Sequence, residues 1–167
     1  MSNAPRRPSP TTELLHADRA RGTPFGAIHE PVQASVQYGF DRVEDLIGVF
    51  QGTLKNAFVY ARQGTPTSAA LEARLARMEE GLGAICFATG MGAISALMLT
   101  LLRAGDHVVC SRFVFGNTFS FLGTLAGLGV ETTYVDAASV DAVRAAIRPS
   151  TRLVFVETIA NPGTQVP

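Results

Sequence analysis

From Tyr60 onward the chain alternates between helical and strand-like apolar runs, and this alternation most restricts the folds open to it. Leu71, Leu75, Met78 and Leu82 recur at helical spacing. Thr67 or Ser68 is suited to cap that helix, and Gly81 and Gly83 mark its end. Ala84–Ala88 reads as a short buried strand, followed by a helix from about Met91 to Arg103. The Ala104-Gly105-Asp106 turn leads into strand His107–Ser111. A helix over about Thr118–Leu128, strand Val130–Val135, helix Val140–Ile147 and strand Leu153–Val156 follow. Strands that are apolar almost throughout, separated by helices, predict an α/β fold with a parallel sheet and helices on both faces. The 167 residues, 47% of them hydrophobic, suffice for one substantial core.

The chain before Tyr60 has a different character. Met1–Thr12 is rich in Pro, Ser and Arg and is expected to be a disordered arm. Residues 13–59 are interrupted by Gly22, Pro24, Gly26, Pro31, Gly39 and Gly48, with short extended runs such as Val32–Tyr38, and read as a clasp rather than a layer. Charge is balanced, with 14 basic and 14 acidic side chains, which argues against nucleic acid or an anionic membrane as partner and for a small molecule. The most apolar stretch, Ala93–Leu102, is far short of the roughly 20 residues that span a bilayer. Two cysteines, Cys86 and Cys110, lie in apolar runs and read as reduced core residues of a cytoplasmic protein.

Chemistry is concentrated at two places. Ala88-Thr89-Gly90-Met91-Gly92-Ala93 lies at a strand-to-helix junction, where unsatisfied N–H groups and the positive end of the helix dipole suit a phosphate. Small residues there equally permit close packing of helix on sheet. Gly90-x-Gly92 also opens a dinucleotide fingerprint, but Ser95 holds its third position and Arg112 follows the next strand, so only an NADP reading survives. The second place is Tyr60-Ala61-Arg62, where a planar guanidinium and a phenol are both suited to phosphate oxygens. His16, His29 and His107 lack metal-ligand spacing and read as structural or solvated. Asp136 and Glu157 sit near strand ends and are candidates to help the site, with a surface or helix-capping role as their default.

The ordered series Y-A-R-Q-G-T-P-T-x(3)-L-E-x(2)-L-A, A-T-G-M-G-A, L-L-R-A-G-D-H-V, V-F-G-N-T and V-E-T-I-A-N-P resembles the Cys/Met-metabolism family of pyridoxal-phosphate (PLP) enzymes, from about Ala27 to the end of the chain. That family contains cystathionine γ-synthase, cystathionine lyases and O-acylhomoserine sulfhydrylases. The resemblance implies the aspartate-aminotransferase-like fold (PLP fold type I), with residues 60–167 forming an incomplete PLP-binding large domain. It implies that Tyr60 and Arg62 reach the cofactor phosphate of a neighbouring subunit in a homodimer or homotetramer. Gly90 and Met91 would offer amides to the phosphate of their own chain, Phe115 would stack on the pyridine ring, and Asn161 would bond the ring oxygen. Phe115 departs from the commoner Tyr: stacking survives, while a hydroxyl for proton transfer is absent. Taken alone, Phe115 reads as core packing and Asn161 as a turn initiator. Both follow strands, where ligands of open α/β sheets bind.

Lys55 is the only lysine, and it precedes the Y-x-R motif. In the resembled family the Schiff-base lysine and the acidic partner of the ring nitrogen both lie after the E-x-x-x-N-P segment. The expectation is therefore the N-terminal part of an enzyme that, when complete, acts on an amino acid by γ-replacement on O-acylhomoserine or by β- or γ-elimination. The chain by itself would be inactive. A non-catalytic module that binds a phosphorylated ligand or pairs with a longer relative is the alternative from another class.

Overall fold

The computed structural model describes residues 9–16 and 22–167, which divide into two compact units, one ending at Cys86 and one beginning at Phe87. Met1–Pro8 of the expected arm lie outside the described residues. Pro10–Thr12 open helix α1, Pro10–His16.

In the first unit α1 packs against α3, Pro66–Met78, and between them in sequence stand a 3-10 turn at Pro24–Gly26 and α2, Val43–Phe50. The expected cap of α3 is corrected. Thr65, not Thr67 or Ser68, is the cap. Its hydroxyl accepts from Ser68 N, Ser68 answers as the third residue of a capping box, and Pro66 fills the first helical position. Thr67 instead accepts from Gln33 N at 2.8 Å. Helix α2 is not apparent in the sequence because Gly48 lies inside it. A Cβ there would meet Thr53 Oγ1 at 3.2 Å and Leu54 Cβ at 3.3 Å, because the chain folds back so that Thr53 N and Leu54 N both reach Gly48 O. The extended run Val32–Tyr38 makes one antiparallel bridge, Gln37 to Tyr60. The expected strand Ala84–Ala88 forms no ladder among the described residues, and Ile85 is 78% exposed. An apolar run becomes a strand only when its backbone groups find partners. Here Cys86 N is taken by the Glu72 carboxylate of α3 at 2.9 Å. Leu71, Leu75 and Met78 keep helical spacing but stay exposed, and Leu82 lies past the helix end.

The second unit is a three-stranded parallel sheet of order β2-β1-β3, with β1 at His107–Ser111, β2 at Glu131–Val135 and β3 at Thr151–Phe155. Helix α4, Gly90–Leu101, precedes β1, while α5, Gly116–Ala126, joins β1 to β2 and α6, Val140–Ala146, joins β2 to β3, in the order expected of α/β units. All five residues of β1 are buried. Met98 and Leu102 of the α4 end and Leu122 and Leu125 of α5 pack with Val108 and Cys110, joined by Tyr134, Leu153 and Phe155. Alternation puts Val108, Cys110, Thr132 and Tyr134 on this face and His107, Val109 and Thr133 on the other. β3 joins both faces through a register shift: Thr151 pairs with His107, but Leu153, not Arg152, pairs with Val108. Gly129, at φ 83, supplies the carbonyl that Gly105 N needs, in a turn where a Cβ would meet Ala104 Cβ at 3.1 Å. No helix among the described residues is long and apolar enough to cross a membrane.

His107 fastens all three strands. Its Nδ1 lies 2.8 Å from Thr151 Oγ1 and its Nε2 2.9 Å from Thr133 Oγ1, in a fully buried site. Burial lowers its pKa below 6.5, with Arg148 adding in the same direction and Glu131 opposing. An unfolded histidine takes its proton near pH 6.5 and the folded one only below that, so stability is undiminished above this value and is lost as pH falls through it. Thermal melts from about pH 8 to about pH 5 are expected to be flat down to about pH 6.5 and then to decline, with the His107 ring titrating by NMR below that point. On the apolar face Thr132 Oγ1 is buried with no hydrogen-bond partner. Removing an unsatisfied hydroxyl without changing shape favours folding. Thr132→Val is expected to raise stability by about 1 kcal/mol, read as a higher Tm.

Candidate cofactor-binding site

In the second unit the first turn of α4 is an open donor site. Thr89 is extended (φ −145, ψ 153), and its hydroxyl accepts from Gly92 N at 2.9 Å. Ala93 N bonds Thr89 O at 3.1 Å. The amides of Gly90 and Met91 between them have no acceptor among the described residues. The two glycines differ. A Cβ on Gly92 would press on Thr89 Oγ1 at 3.0 Å, so this glycine protects the cap, whereas a Cβ on Gly90 would meet nothing within 4 Å. Two free amides at the positive end of a 12-residue helix, below open space, suit an anion the size of a phosphate.

Phe115 is the N-cap of α5, which packs against α4, and the residue is 47% exposed rather than buried in the core. No side chain of its own caps the helix. Its N–H donates to Glu157 Oε1 at 2.8 Å, and its carbonyl accepts from Thr118 N and Phe119 N. Glu157 lies just past β3, so one carboxylate ties the loop after β1 to the loop after β3. Asn161 is four residues farther on, exposed, at the start of a turn closed by Ala160 N to Gln165 O and Thr164 N to Ala160 O, both 2.9 Å. Glu157 thus bonds the N-cap residue of α5, in keeping with the helix-capping role open to it from the sequence, and its loop leads on to Asn161.

Tyr60 and Arg62 belong to the first unit. Tyr60 is held in the bridge to Gln37, Tyr60 O accepts from Gln63 N at 2.9 Å, and the Arg62 guanidinium lies 4.7 Å from the Tyr60 ring centroid. Arg62 is exposed and pairs with no carboxylate among the described residues, so its donors are open to an anion. Arg112, by contrast, is engaged by Asp136 at 2.9 Å and lies over the Phe113 ring, which disfavours its use for a ribose phosphate. Cys110 is no nucleophile: burial, reinforced by the Glu157 charge, pushes its thiol up to about 12. Among the described residues no group of His, Cys, Asp and Glu is placed to hold a metal.

A family model described as Cys/Met metabolism PLP-dependent enzyme matches residues 11–167. The chain is 36% identical over 157 residues to an L-methionine gamma-lyase of Fusobacterium nucleatum subsp. polymorphum, a match covering 93% of this chain and 39% of that protein. It is 42% identical over 154 residues to a cystathionine gamma-synthase of Mycobacterium bovis, covering 92% and 38%. Among solved structures it is similar to metB from Corynebacterium glutamicum, with TM-score 0.84 and 31% identity over 98% of this chain and 40% of that one. It is also similar to a putative O-acetylhomoserine (thiol)-lyase (metY) from Campylobacter jejuni, with TM-score 0.85 and 27% identity over 96% and 39%, whose structure contains N'-pyridoxyl-lysine-5'-monophosphate. The chain thus spans about two-fifths of the length of these relatives.

The different surroundings of the two glycines separate folding from binding. Gly92→Ala is expected to lower Tm by disturbing the Thr89 cap, an effect of about 1 kcal/mol. Gly90→Ala is expected to leave Tm unchanged or slightly raised, because alanine favours the helix and meets no neighbour. Parallel melts of the two variants provide the check.

Proposed function

The chain belongs to the Cys/Met metabolism family of PLP-dependent enzymes, and on that premise we propose that it is the N-terminal part of an enzyme whose complete form carries out γ-replacement on O-acylhomoserine, forming cystathionine or homocysteine. The observation that carries this reading is the pair of acceptor-free amides, Gly90 and Met91, on the same compact unit as the exposed ring of Phe115. These groups fit a phosphorylated pyridine. The cofactor of the family is pyridoxal 5'-phosphate, which when bound supplies an electron sink for bond-breaking at the amino-acid substrate.

Gly90 and Met91 donate their N–H groups to phosphate oxygens of their own chain's cofactor. Phe115 offers a flat apolar face to the ring and, without a hydroxyl, moves no proton. Asn161 donates its side-chain amide to the ring oxygen. Tyr60 and Arg62 serve the phosphate of a neighbouring subunit, so the working form is a homo-oligomer, a dimer or tetramer in the cytoplasm. Elimination, the activity of a lyase, is the second reading, and the likeness to an L-methionine gamma-lyase supports it.

Lys55 is the only lysine among the 167 residues and stands in the first unit, exposed, before the Tyr60 turn. The covalent anchor of the cofactor is therefore another residue, and this chain by itself has no activity. Borohydride treatment after incubation with PLP, followed by peptide mapping, is expected to leave Lys55 unmodified. A stoichiometric adduct at Lys55, with turnover, would overturn this reading.

A further inference from the structure

We propose that Glu157 is a positioning residue for the cofactor ring: its carboxylate holds the backbone of Phe115 and fixes the aromatic face at the start of α5. This rests on the cofactor reading above and adds to it a residue that never touches the cofactor. Three observations carry it. Phe115 N donates to Glu157 Oε1 at 2.8 Å, a contact between residues 42 positions apart. Phe115 has no side-chain cap of its own, and its carbonyl starts α5 by accepting from Thr118 and Phe119, so its N–H is the remaining backbone handle on its orientation. Glu157 is half-buried, and its charge is felt by the buried Cys110 thiol of β1, which places it against the sheet rather than in free solvent.

A charge-assisted bond to a backbone amide is shorter and stronger than a neutral one, and a carboxylate at a helix N-terminus is further favoured by the dipole. Glu157 thereby joins two supports. It sets the ring of Phe115 after β1, and its own loop leads on to Asn161 after β3. Losing the carboxylate leaves the phosphate donors Gly90 and Met91 intact, because their place is set by the Thr89 cap. Ring affinity and phosphate affinity should then come apart.

The test uses this chain with two probes. 4-Deoxypyridoxine 5'-phosphate has the ring and phosphate but no aldehyde to react with amines, and inorganic phosphate has no ring. In the wild-type chain the ring compound is expected to bind more tightly than phosphate. In Glu157→Ala that advantage falls about three- to tenfold, the scale of an aromatic stacking contact, with phosphate affinity unchanged within about twofold. Amide exchange at Phe115 accelerates in the same variant. Glu157→Gln, which keeps an acceptor oxygen, restores most of both. If Glu157→Ala does not fold, Glu157→Met, which keeps the length of the side chain and removes its acceptor oxygens, decides the matter, since an unchanged NMR shift of the Phe115 amide overturns the proposal. A wild-type advantage that persists in Glu157→Ala also overturns it while leaving the cofactor reading intact. A wild-type chain that binds neither probe overturns the cofactor reading and, with it, this proposal.

Discussion

The strand His107–Ser111 is hydrogen-bonded along both edges and buried along its whole length, and the geometry of the second unit depends on this. A parallel strand paired on both sides cannot slide without breaking two ladders. Its two neighbours are therefore held in register, and the loops leaving all three carboxyl ends start from fixed points. His107 reinforces this from the opposite end. A neutral imidazole donates from one nitrogen and accepts at the other, while threonine hydroxyls rotate to suit either tautomer, so the ring satisfies both flanking strands without leaving a polar atom unpaired.

The candidate residues Phe115 and Asn161 lie beyond the ends so fixed. Phe115 follows β1 and Glu157 follows β3, and the bond between them closes a gap that neither ladder reaches. Thr89 gives its oxygen to the first turn of α4, whereas Glu157 gives its own to the N-cap residue of α5. Thr89, however, consumes the amide of the third helical residue and leaves the first two unclaimed. Cap choice thus divides the two helix starts, one left receptive to an anion and the other given a carboxylate.

The sheet is legible in the sequence because central parallel strands are apolar on both faces. His107–Ser111 needs no tertiary information, and β2 and β3 are off by one or two residues at their ends. Ala84–Ala88 has the same apolar character and misleads, since composition reports what a segment tolerates burying and says nothing of whether a ladder exists. Helix α2 is hidden by Gly48, whose presence answers a contact with Thr53 and Leu54 that follows it in the chain. The cap of α3 is misread by two or three residues because Thr65, Thr67 and Ser68 are all suited to it, and Pro66 decides among them. Of the candidate site, the glycine-rich turn follows from helix-end physics, Tyr60 and Arg62 are suggested by donors suited to phosphate, and Phe115 and Asn161 enter as ring partners only through family resemblance. The strand-end position of Glu157 suggests a helix cap, but its partner is not legible, since it lies 42 residues away and is a backbone amide that any residue type would present.

The skipped pairing at Arg152 has a consequence for how β3 tolerates change. An uninterrupted strand has one parity, so a residue on the His107 side and residues on the Val108 side could not all stand at odd positions. Passing over Arg152 lets Thr151 answer the imidazole while Leu153 and Phe155 join the apolar layer beneath α4 and α5. The side chain at 152 is exposed, and the position is an extra residue that the ladder passes over. Deleting it would set Thr151 and Leu153 side by side opposite His107 and Val108, removing the shift while every pairing in the ladder is kept.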